Sequence, residues 1–311
     1  MGSVDFTVVI PTYDGSQRFP EVLDALKCQY ISNNGVQWEI LVVDNNSQDD
    51  TPEKVKYYQQ AWPLEFPLRY CLEPRQGLAF ARQRGIEEAN GTYVAFLDDD
   101  TVPDQQWVEC AFDFGQAHPE AGAFGGQVHG DFEVSPPENF KRIQSFLAIK
   151  ERGEQAHLYD PKNLVLPPGA GLVVRRQAWL QSVPTCLSRV SSGEDFEASL
   201  HLHQAGWEIW YCPTMHLFHQ IPKWRLEPKY LLKLSKTVGL CVCELRLLHT
   251  SKLQIPIVVM RILLGNLRRI IRHLLHYRWQ LKDDLVALCE LRFFIYSFIS
   301  PFHLLRKKLN V

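Results

Sequence analysis

Three consecutive carboxylates, Asp98 to Asp100, directly follow an apolar run from Tyr93 to Leu97. Such a run is typical of a buried strand, so the acids stand where that strand ends. In an open α/β sheet, ligands bind at the carboxyl ends of the strands, and acids gathered there favour a cation. Asp98 and Asp100 would share one face if the extended geometry continued, while Asp99 would turn away. The alternative is a solvated turn, in which Asp is common.

The chemistry of these acids favours a hard divalent ion. Carboxylate oxygens suit Mg²⁺ or Mn²⁺, which commonly bridge one or two carboxylates to the phosphates of a substrate. The chain has no Gly-rich phosphate loop of the GxGxxG or Walker type, which argues against a dinucleotide or P-loop mechanism. Any phosphate at this site would therefore be held by the metal.

Short β-branched apolar segments alternate with helical patterns in the first part of the chain. This alternation predicts an α/β fold with a Rossmann-like, mostly parallel sheet flanked by helices. The predicted strands are Phe6–Ile10, Glu39–Val43, Leu68–Leu72 and Tyr93–Leu97, and the predicted helices are Arg18–Tyr30, a helix from about Pro52, and Leu78–Ala89.

The alternation loosens after Asp100, where glycines punctuate the apolar segments. Gly122, Gly125 and Gly126 are predicted to precede a strand that ends at His129. The further predictions are helices over Trp107–Ala117 and Glu194–Gln204, and strands over Leu172–Val174 and Glu208–Tyr211.

The charge is divided unevenly along the 311 residues, although the net charge is only -2. The segment from Lys229 to Val311 carries fifteen Lys and Arg against four acids. Long helical patterns rich in Leu, Ile and Arg occupy the same segment. We therefore predict two domains, an α/β domain over residues 1–227 and a basic amphipathic helical extension over residues 228–311.

The basic extension suggests contact with an anionic membrane. Two apolar segments, Ile255–Leu264 and Phe293–Leu305 with its Pro301, fall short of the roughly 18 to 20 residues that span a bilayer. A helix that lies on the membrane surface is the first interpretation, and a helical cap with a solvated basic face is the alternative. The residues that favour the surface interpretation are Arg268, Arg269, Arg272, Arg278, Trp279 and the run from Arg306 to Lys308.

Other features favour a cytoplasmic protein that does not bind nucleic acid. No Lys- or Arg-led apolar segment opens the chain, which argues against a signal peptide. Eight scattered cysteines lack the spacing of redox or zinc motifs and are interpreted as reduced, mostly buried thiols. No nucleic-acid motif with interleaved aromatic residues accompanies the basic charge.

Polar groups at other predicted strand ends complete a candidate nucleotide site. Tyr13 and Asp14 follow the first strand, Asp44 ends the second, and Arg75 lies just beyond the third. Strand ends of a parallel sheet converge, so these groups would offer an aromatic face for a base, a carboxylate to accept from it and a guanidinium for oxygen atoms.

The ordered set of motifs resembles the inverting glycosyltransferases of family 2, which have the GT-A fold and include bacterial enzymes of polysaccharide biosynthesis. The resemblance covers about residues 5 to 220. It is carried by Val9–Tyr13, Val42–Ser47, Gly77 with Ala81 and Arg82, Leu97–Asp100, Gly169–Arg176, Gly193–Asp195, and Gly206 with Trp207.

The resemblance implies a nucleotide-sugar donor, most simply a UDP-sugar, and a saccharide or lipid-linked acceptor. It implies that Asp195, beside Glu194, is the catalytic base, whereas both acids could instead merely begin a helix. It also implies that Tyr13 stacks on the base of the nucleotide. The donor-binding set is Pro11, Thr12, Tyr13, Asp14, Asp44, Arg75, Asp98 and Asp99, and the metal set is Asp98, Asp100 and His219, of which His219 could instead be structural.

Two positions depart from the pattern of the family. Gln83 stands where many relatives carry Asn after the Ala-Arg pair. The run from Gln220 to Trp224 is a near match to the QxxRW element of processive members, with Lys223 in place of Arg, and we predict transfer of a single sugar rather than extrusion of a polymer.

Two other functions stay open at the level of the sequence. A nucleotidyltransferase can also join an α/β sheet to metal-binding acids, and it would release pyrophosphate from a nucleoside triphosphate. A non-catalytic protein that binds nucleotide sugars, recruited to a membrane by the basic C-terminal helices, would bind UDP without turnover. The glycosyltransferase, in contrast, is predicted to be cytoplasmic and peripheral at the inner face of the cell membrane.

Overall fold

The structure, a computed structural model, describes residues 4–32, 35–185, 187 and 193–309. Within these residues the chain forms β-strands, α-helices and short 3₁₀ helices. The strands are β1 (Phe6–Thr12), β2 (Trp38–Asp44), β3 (Leu68–Leu72), β4 (Tyr93–Phe96), β5 (Thr101–Pro103), β6 (Ala121–Phe132), β7 (His157–Leu158), β8 (Leu172–Arg175) and β9 (Glu208–Ile221). The α-helices are α1 (Phe19–Lys27), α2 (Thr51–Gln60), α3 (Leu78–Glu88), α4 (Trp107–Ala117), α5 (Arg176–Ser182), α6 (Glu194–Gln204), α7 (Pro228–Leu247), α8 (Ile255–Tyr277) and α9 (Leu285–Leu309). Short 3₁₀ helices cover Phe140–Arg142, Gln144–Leu147, Pro161–Asn163, Lys223–Leu226 and Arg278–Lys282.

Four parallel strands form one side of the sheet, in the order β3-β2-β1-β4. Every residue of β1 and β2 is buried, as expected of parallel strands with helices on both faces. Pro11 in β1 has no N–H, but β4 pairs with β1 only as far as Val9, so the proline lies beyond that ladder. The α/β fold class predicted from the sequence is confirmed.

The other side of the sheet is antiparallel, which the alternation did not predict. The order continues from β4 through β8, β6, β9 and β5, and β7 pairs with β9. The pairs β4 with β8, β6 with β8, β5 with β9 and β7 with β9 are antiparallel. The segment that joins β6 to β8 contains 3₁₀ turns and β7, without the crossover α-helix that a parallel connection needs.

Two compact units can be distinguished within the chain, and they are interleaved along the sequence. The first unit comprises the described residues of Met1–Asp131, Lys150–Leu187 and Ala198–Gln220. Its core is aromatic, with Phe6 packed at 6.5 Å from Tyr93 and at 6.4 Å from Trp107 between ring centroids.

The second unit comprises the described residues of Phe132–Ile149, Ser188–Glu197 and Ile221–Val311. Its α7 and α9 pack closely because Gly239 has no side chain. A Cβ at this position would lie 2.9 Å from the carbonyl oxygen of Phe293 and 3.0 Å from the Cβ of Tyr296. Its apolar core consists of Phe140, Ile143, Leu147, Ile149, Ile221, Leu226, Leu231, Val286 and Cys289.

Pro301 lies inside α9 without ending it. A proline there removes the N–H that would donate to the carbonyl of Ser297 one turn earlier. The hydroxyl of Ser300 donates to that carbonyl oxygen at 2.7 Å, and both serines are buried. The Ser300 hydroxyl therefore replaces the missing backbone donor.

One helical segment in the described part of the chain, Leu285–Lys307, is long and apolar enough to cross a membrane, by length and composition alone. Only 28% of its most apolar window is buried. The apolar segment predicted from the sequence, Phe293–Leu305 with its Pro301, was expected to fall short of spanning length. In the structure the helix begins earlier, at Leu285, and continues past Pro301. By length alone that expectation was wrong, although a single such helix is weak support for a span.

The described cysteines are free thiols. Cys212, Cys241, Cys243 and Cys289 are buried, and burial raises the pKa of Cys212 and Cys289. These thiols therefore stay protonated at neutral pH. Cys186 lies outside the described residues.

Candidate active site

The acids after β4 meet the loop after β1 at the edge of the sheet where the parallel strands end. Leu97 donates its N–H to the carbonyl oxygen of Val9 at 2.9 Å, which extends the β1–β4 pairing by one step. The hydroxyl of Thr12 then donates to Asp99 Oδ2 at 2.6 Å. The predicted convergence of strand ends is therefore present in the structure.

Asp99 points toward the β1–α1 loop, although the strand geometry does not continue, because β4 ends at Phe96 and a turn closed by the N–H of Thr101 and the Asp98 carbonyl oxygen carries the acids. Arg18 donates to its two carboxylate oxygens, from Nε at 3.0 Å and from Nη2 at 2.9 Å. Burial raises the pKa of Asp99, and the hydrogen bonds from Arg18 and Thr12 oppose that rise. Arg18 was not identified from the sequence, because nothing local links it to an acid 81 residues away.

Gly15 makes room for this arrangement. A Cβ at Gly15 would overlap the Thr12 hydroxyl and would lie 2.5 Å from Asp99 Oδ2. Any side chain at this position would therefore displace the contact between the loop and the acid.

Asp98 faces a buried guanidinium. Arg82 Nη2 lies 3.3 Å from Asp98 Oδ1, and the Arg82 side chain is only 4% exposed. The guanidinium also stacks 5.6 Å from the ring centroid of Phe96. Gly169 packs against Arg82 so closely that a Cβ there would overlap the guanidinium, which explains why a glycine stands at this position.

Asp100 faces His219. The β5–β9 pairing places Thr101 opposite His219, and Gln220 donates its N–H to the Asp100 carbonyl oxygen at 2.9 Å. The distance from His219 Nε2 to Asp100 Oδ1 is 3.5 Å, and His219 is 6% exposed. Asp98 lies within electrostatic range of both Asp100 and His219, and the role of these three residues as metal ligands stays a prediction.

These acids suit a cation. Burial raises the pKa of Asp98; the nearby Arg82 guanidinium opposes the rise, and the Asp100 carboxylate adds to it. A bound cation would favour the charged form of both carboxylates. No three His, Cys, Asp or Glu side chains within the described ranges are grouped so that they could hold a metal by themselves. Mg²⁺ and Mn²⁺ commonly take one or two carboxylates and complete their coordination with substrate phosphates, and the pair Asp98 and Asp100 fits that chemistry.

The loops after β1 and β2 are tied together beside the acids. Asp14 donates its N–H to Ser47 Oγ at 3.0 Å, and its Oδ1 accepts from the N–H of Gln48 at 2.7 Å. The Asp14 backbone has a φ of 46°, a left-handed conformation that Asp tolerates better than most residues. Tyr13, next to it, is 44% exposed, so its ring is accessible for stacking.

Asp44 is held by two protein donors. Its Oδ1 accepts from the N–H of Ser47 at 2.9 Å, and its Oδ2 accepts from the Tyr70 hydroxyl at 2.8 Å. Burial raises the pKa of Tyr70, and the hydrogen bond to Asp44 raises it further. The carboxylate is therefore fixed in direction, with one lone pair left on each oxygen.

Arg75 is positioned by Asn45, which belongs to the Val42–Ser47 motif but was not predicted as a site residue. Asn45 Nδ2 donates to the carbonyl oxygens of Glu73 and Arg75, at 3.1 Å and 2.7 Å. Its Oδ1 accepts from the N–H of Gly77 at 2.7 Å, and Gly77 has a φ of 140° that favours glycine. The Arg75 guanidinium forms two hydrogen bonds with the Glu73 carboxylate, at 2.8 Å and 2.9 Å, and its side chain is 58% exposed. The signal in the sequence was an amide directly after a strand end.

Gln83, the departure from the pattern, has a structural partner. Its Oε1 accepts from the indole N–H of Trp179 at 3.0 Å, and its Nε2 donates to Glu87 at 2.9 Å. Trp179 is 1% exposed, so its N–H needs a buried acceptor. The longer amide side chain supplies that acceptor.

Glu194 and Asp195 begin α6, as one of the two interpretations expected. Glu194 accepts from the N–H of Gly193 at 3.1 Å, and Asp195 Oδ1 accepts from the N–H of Phe196 at 2.9 Å. Acids are favoured at this end of a helix. The two acids belong to the second unit, and the role of Asp195 as a base stays a prediction.

The fold and the acids at its sheet edge define a GT-A type of α/β protein, and the comparisons with known proteins agree. The family model "Glycosyl transferase family 2" matches residues 7–178, and the model "Glycosyl transferase family group 2" matches residues 93–305. The chain therefore belongs to glycosyltransferase family 2, which confirms the resemblance found in the sequence.

One curated relative and two solved structures are informative. The chain is 25% identical over 178 residues to a glucosyl-dolichyl phosphate glucuronosyltransferase of Haloferax volcanii, covering 56% of the chain and 54% of the relative. The chain spans between a third and about half of the length of the first curated relatives it matches. A mannosyltransferase of Pyrobaculum calidifontis in complex with GDP-Man and Mn²⁺ aligns at a TM-score of 0.61 and 16% identity, covering 96% of this chain and 87% of that one. TarS of S. aureus in complex with UDP aligns at a TM-score of 0.51 and 15% identity, covering 96% and 91%. At such identities the two structures show the fold alone.

Proposed function

We propose that the chain is a metal-dependent inverting glycosyltransferase that moves one sugar from a UDP-sugar to a saccharide or lipid-linked acceptor. The observation that carries the proposal is the group formed by Asp98, Asp100, Arg82 and His219 at the carboxyl ends of the strands. Membership of family 2 supports the reaction class. The complexes of the two similar structures, TarS with UDP and the mannosyltransferase with GDP-Man and Mn²⁺, support a nucleotide or nucleotide sugar in this fold.

In the proposed reaction, an acceptor hydroxyl oxygen attacks the anomeric carbon of the donor sugar. The bond from that carbon to the diphosphate oxygen breaks, the nucleoside diphosphate leaves, and the hydroxyl proton passes to Asp195 as general base. Glu194, beside it, belongs to the same predicted catalytic pair. Inversion needs no covalent intermediate on the enzyme. When bound at Asp98 and Asp100, with His219 as the further candidate ligand, Mn²⁺ or Mg²⁺ supplies positive charge that offsets the charge of the departing diphosphate.

The nucleotide is proposed to occupy the loops after β1, β2 and β3. Tyr13 has the exposure needed to stack on the base. Asp44, the predicted acceptor for a base N–H, is 1% exposed, and Ser47 and Tyr70 fix its direction. Arg75 stands on a loop that Asn45 fixes. Pro11, Thr12, Asp14 and Asp99 are the remaining predicted donor-binding residues, and Thr12, Asp14 and Asp99 already fasten the loops to one another.

The proposal assigns the catalytic domain to residues 1–227 and the basic helical extension to residues 228–311. It places the protein in the cytoplasm, at the inner face of the cell membrane, where a lipid-linked acceptor would be available. The relative named for a dolichyl phosphate substrate supports an acceptor of that class.

The test combines nucleotide binding with turnover. The purified chain is melted with UDP, GDP, dTDP and ATP, each with and without Mn²⁺, because a ligand that binds only the folded state raises its apparent stability. UDP-sugars and GDP-Man are then offered with saccharide and lipid-phosphate acceptors, and the anomeric configuration of the product is determined by NMR. A metal-dependent shift with UDP, followed by an inverted product, is the expected result.

The Asp195→Asn variant sharpens the test, with Asp113→Asn as the control because Asp113 is exposed on α4. Loss of the base lowers kcat by about 10²–10⁴-fold, whereas the melting shift with UDP and Mn²⁺ is retained. A retained anomeric configuration, release of pyrophosphate from a nucleoside triphosphate, or full activity of Asp195→Asn would each contradict the proposal.

A further inference from the structure

Helix α8 exposes seven large apolar side chains, and two of its three buried residues are polar. Its buried residues are Ile262, Asn266 and His273. The Asn266 amide donates to the Ile262 carbonyl oxygen at 2.8 Å, and His273 Nε2 lies 2.9 Å from the Ala287 carbonyl oxygen. The exposed apolar side chains are Ile257, Met260, Leu264, Leu267, Ile271, Leu274 and Leu275, with exposed fractions from 43% to 66%.

These exposed side chains form one continuous stripe. They recur at intervals of three and four residues, which places them on a single face of a helix with 3.6 residues per turn. An open groove of about 390 Å³ lies on this face, lined by Leu264, Leu267, Arg268, Ile271, Arg272 and Leu275. A helix packed in a water-soluble unit normally turns such a stripe toward the core, so this face is suited to a different environment.

Exposed arginines flank the stripe, and α8 contains no acid. Arg261, Arg268 and Arg272 are exposed, and they follow one another at intervals of seven and four residues beside the apolar positions. Trp279, 87% exposed, follows the end of the helix. An amphipathic helix with Arg on its polar flank and Leu, Ile and Trp on its apolar face is typical of one that lies in the interface of a bilayer.

We propose that the outer face of α8 binds the surface of an anionic lipid bilayer, with the stripe at the level of the acyl chains and the arginines at the headgroups. Charge complementarity favours lipid over a second copy of this chain. Two copies that met stripe to stripe would bring arginines together with no carboxylate on either α8 to pair with them, whereas helix pairs of that kind use opposite charges beside the apolar seam. Anionic headgroups supply the missing negative charge. The proposal does not depend on the proposed catalytic function.

The experiment is co-sedimentation of the full chain with phosphatidylcholine vesicles, with and without phosphatidylserine, at low and high salt. We expect binding to the vesicles with phosphatidylserine at low salt, release at high salt, and little binding to phosphatidylcholine alone. No sugar donor or acceptor is present, so the result is independent of catalysis.

Matched variants assign the binding to α8. Arg268→Gln and Arg272→Gln should each lower the partition coefficient about fivefold, since a basic residue near the surface contributes roughly 1 kcal/mol. Leu267→Glu combined with Ile271→Glu should lower it more than tenfold. The controls are Lys56→Gln on α2 and Leu64→Glu, both exposed in the first unit. Because all the changed side chains are exposed, unchanged melting temperatures are expected throughout.

Four results would overturn the proposal. The first is no binding to phosphatidylserine vesicles at low salt, and the second is equal binding by the α8 variants and the unchanged chain. The third is self-association in analytical ultracentrifugation that the α8 variants abolish, which would assign the stripe to a second copy. Binding that resists both high salt and alkaline carbonate would also contradict it, because insertion of α9 would then explain the attachment.

Discussion

At the edge of the sheet the charged side chains are partly buried and paired, whereas along α8 the charged side chains are exposed and the buried polar groups are neutral. Asp99 forms an ion pair with Arg18, and Asp98 forms one with Arg82. In the second unit, Ser235 and Asn266 donate hydrogen bonds to backbone carbonyl oxygens of the preceding helical turn. The site at the carboxyl ends of the strands therefore concentrates charged side chains where a ligand is proposed to bind. Helix α8, in contrast, buries no charged side chain and exposes its apolar face.

Buried polar side chains in the two regions differ in what they indicate about function. A buried carboxylate is costly without a partner, so several acids at one strand end need cationic partners; Arg18 and Arg82 are two of them, and the proposed metal would be another. Burying a side-chain amide that is hydrogen-bonded to its own helix costs little free energy. Such an amide therefore gives no indication of function. The informative feature of α8 is instead the apolar surface that this arrangement leaves exposed.

The largest expected effect concerns Asp100. Asp100→Asn removes one of the two carboxylates that would hold the metal beside His219, and we expect kcat/KM to fall by about a hundredfold or more, or roughly 3 kcal/mol. The Mn²⁺-dependent melting shift with UDP should also disappear. Asp113→Asn is the control, and an unchanged Mn²⁺ dependence in Asp100→Asn would remove Asp100 from the site.

The next effect concerns the close packing of α7 and α9. Gly239→Val places side-chain atoms against the Phe293 carbonyl and the Tyr296 Cβ, so the free energy of unfolding should fall by about 1–3 kcal/mol. Gly265→Val on α8 is the matched control, because a Cβ there meets nothing within 4 Å. Urea denaturation measures both, and equal stabilities would mean that the helices separate at no cost.

A smaller effect concerns the proline in α9. Ser300→Ala leaves the buried Ser297 carbonyl without its hydroxyl donor, and the expected loss is about 1–2 kcal/mol. In a Pro301→Ala background the backbone N–H returns, so the same substitution should cost almost nothing. Equal losses in the two backgrounds, measured by urea denaturation, would show that the hydroxyl does not replace the N–H.

The smallest effect concerns Asp49, in the loop after β2. Burial alone would raise its pKa, but hydrogen bonds from Thr51 and Ser16 hold the pKa at about 2, below the ordinary 3.8. The stabilisation is therefore present above pH 4 and is lost as the pH falls toward 2. Because the group is partly exposed, we expect about 1 kcal/mol. Denaturation at several pH values should show this loss in the unchanged chain and not in Asp49→Asn.

The parallel part of the fold could be predicted because its information is local. β1, β2 and β4 are continuous apolar runs that end at polar residues, and their register brings Thr12 opposite Asp44. The α/β class and the positions of the acids followed from those runs. The aromatic face for a base at Tyr13 was also predicted from the strand ends, whereas the predicted role of Asp195 came only from resemblance to the family.

The antiparallel part could not be predicted because its information lies in distant contacts. The glycines expected before a strand lie inside β6, where a Cβ would meet Trp207 at Gly122, Pro167 at Gly125 and Met215 at Gly126. β9 runs over fourteen residues, Glu208–Ile221, well past the predicted Tyr211. Pro213 and the polar residues of β9 are not typical of a long strand, so the length of β9 could not be predicted. The register that brings His219 beside Asp100 could therefore not be predicted either.

Asn45 has a consequence for how this site can change. Its side chain contacts backbone atoms of the loop after β3, namely the carbonyl oxygens of Glu73 and Arg75 and the N–H of Gly77, and its carbonyl oxygen accepts from the Gln76 side chain at 3.1 Å. The contacts of the Asn45 side chain therefore do not depend on the side chains at positions 74 and 75. Substitutions at these two positions should change the side chains presented to the proposed nucleotide while the path of the chain stays the same, so a change of donor preference there would need no new scaffold.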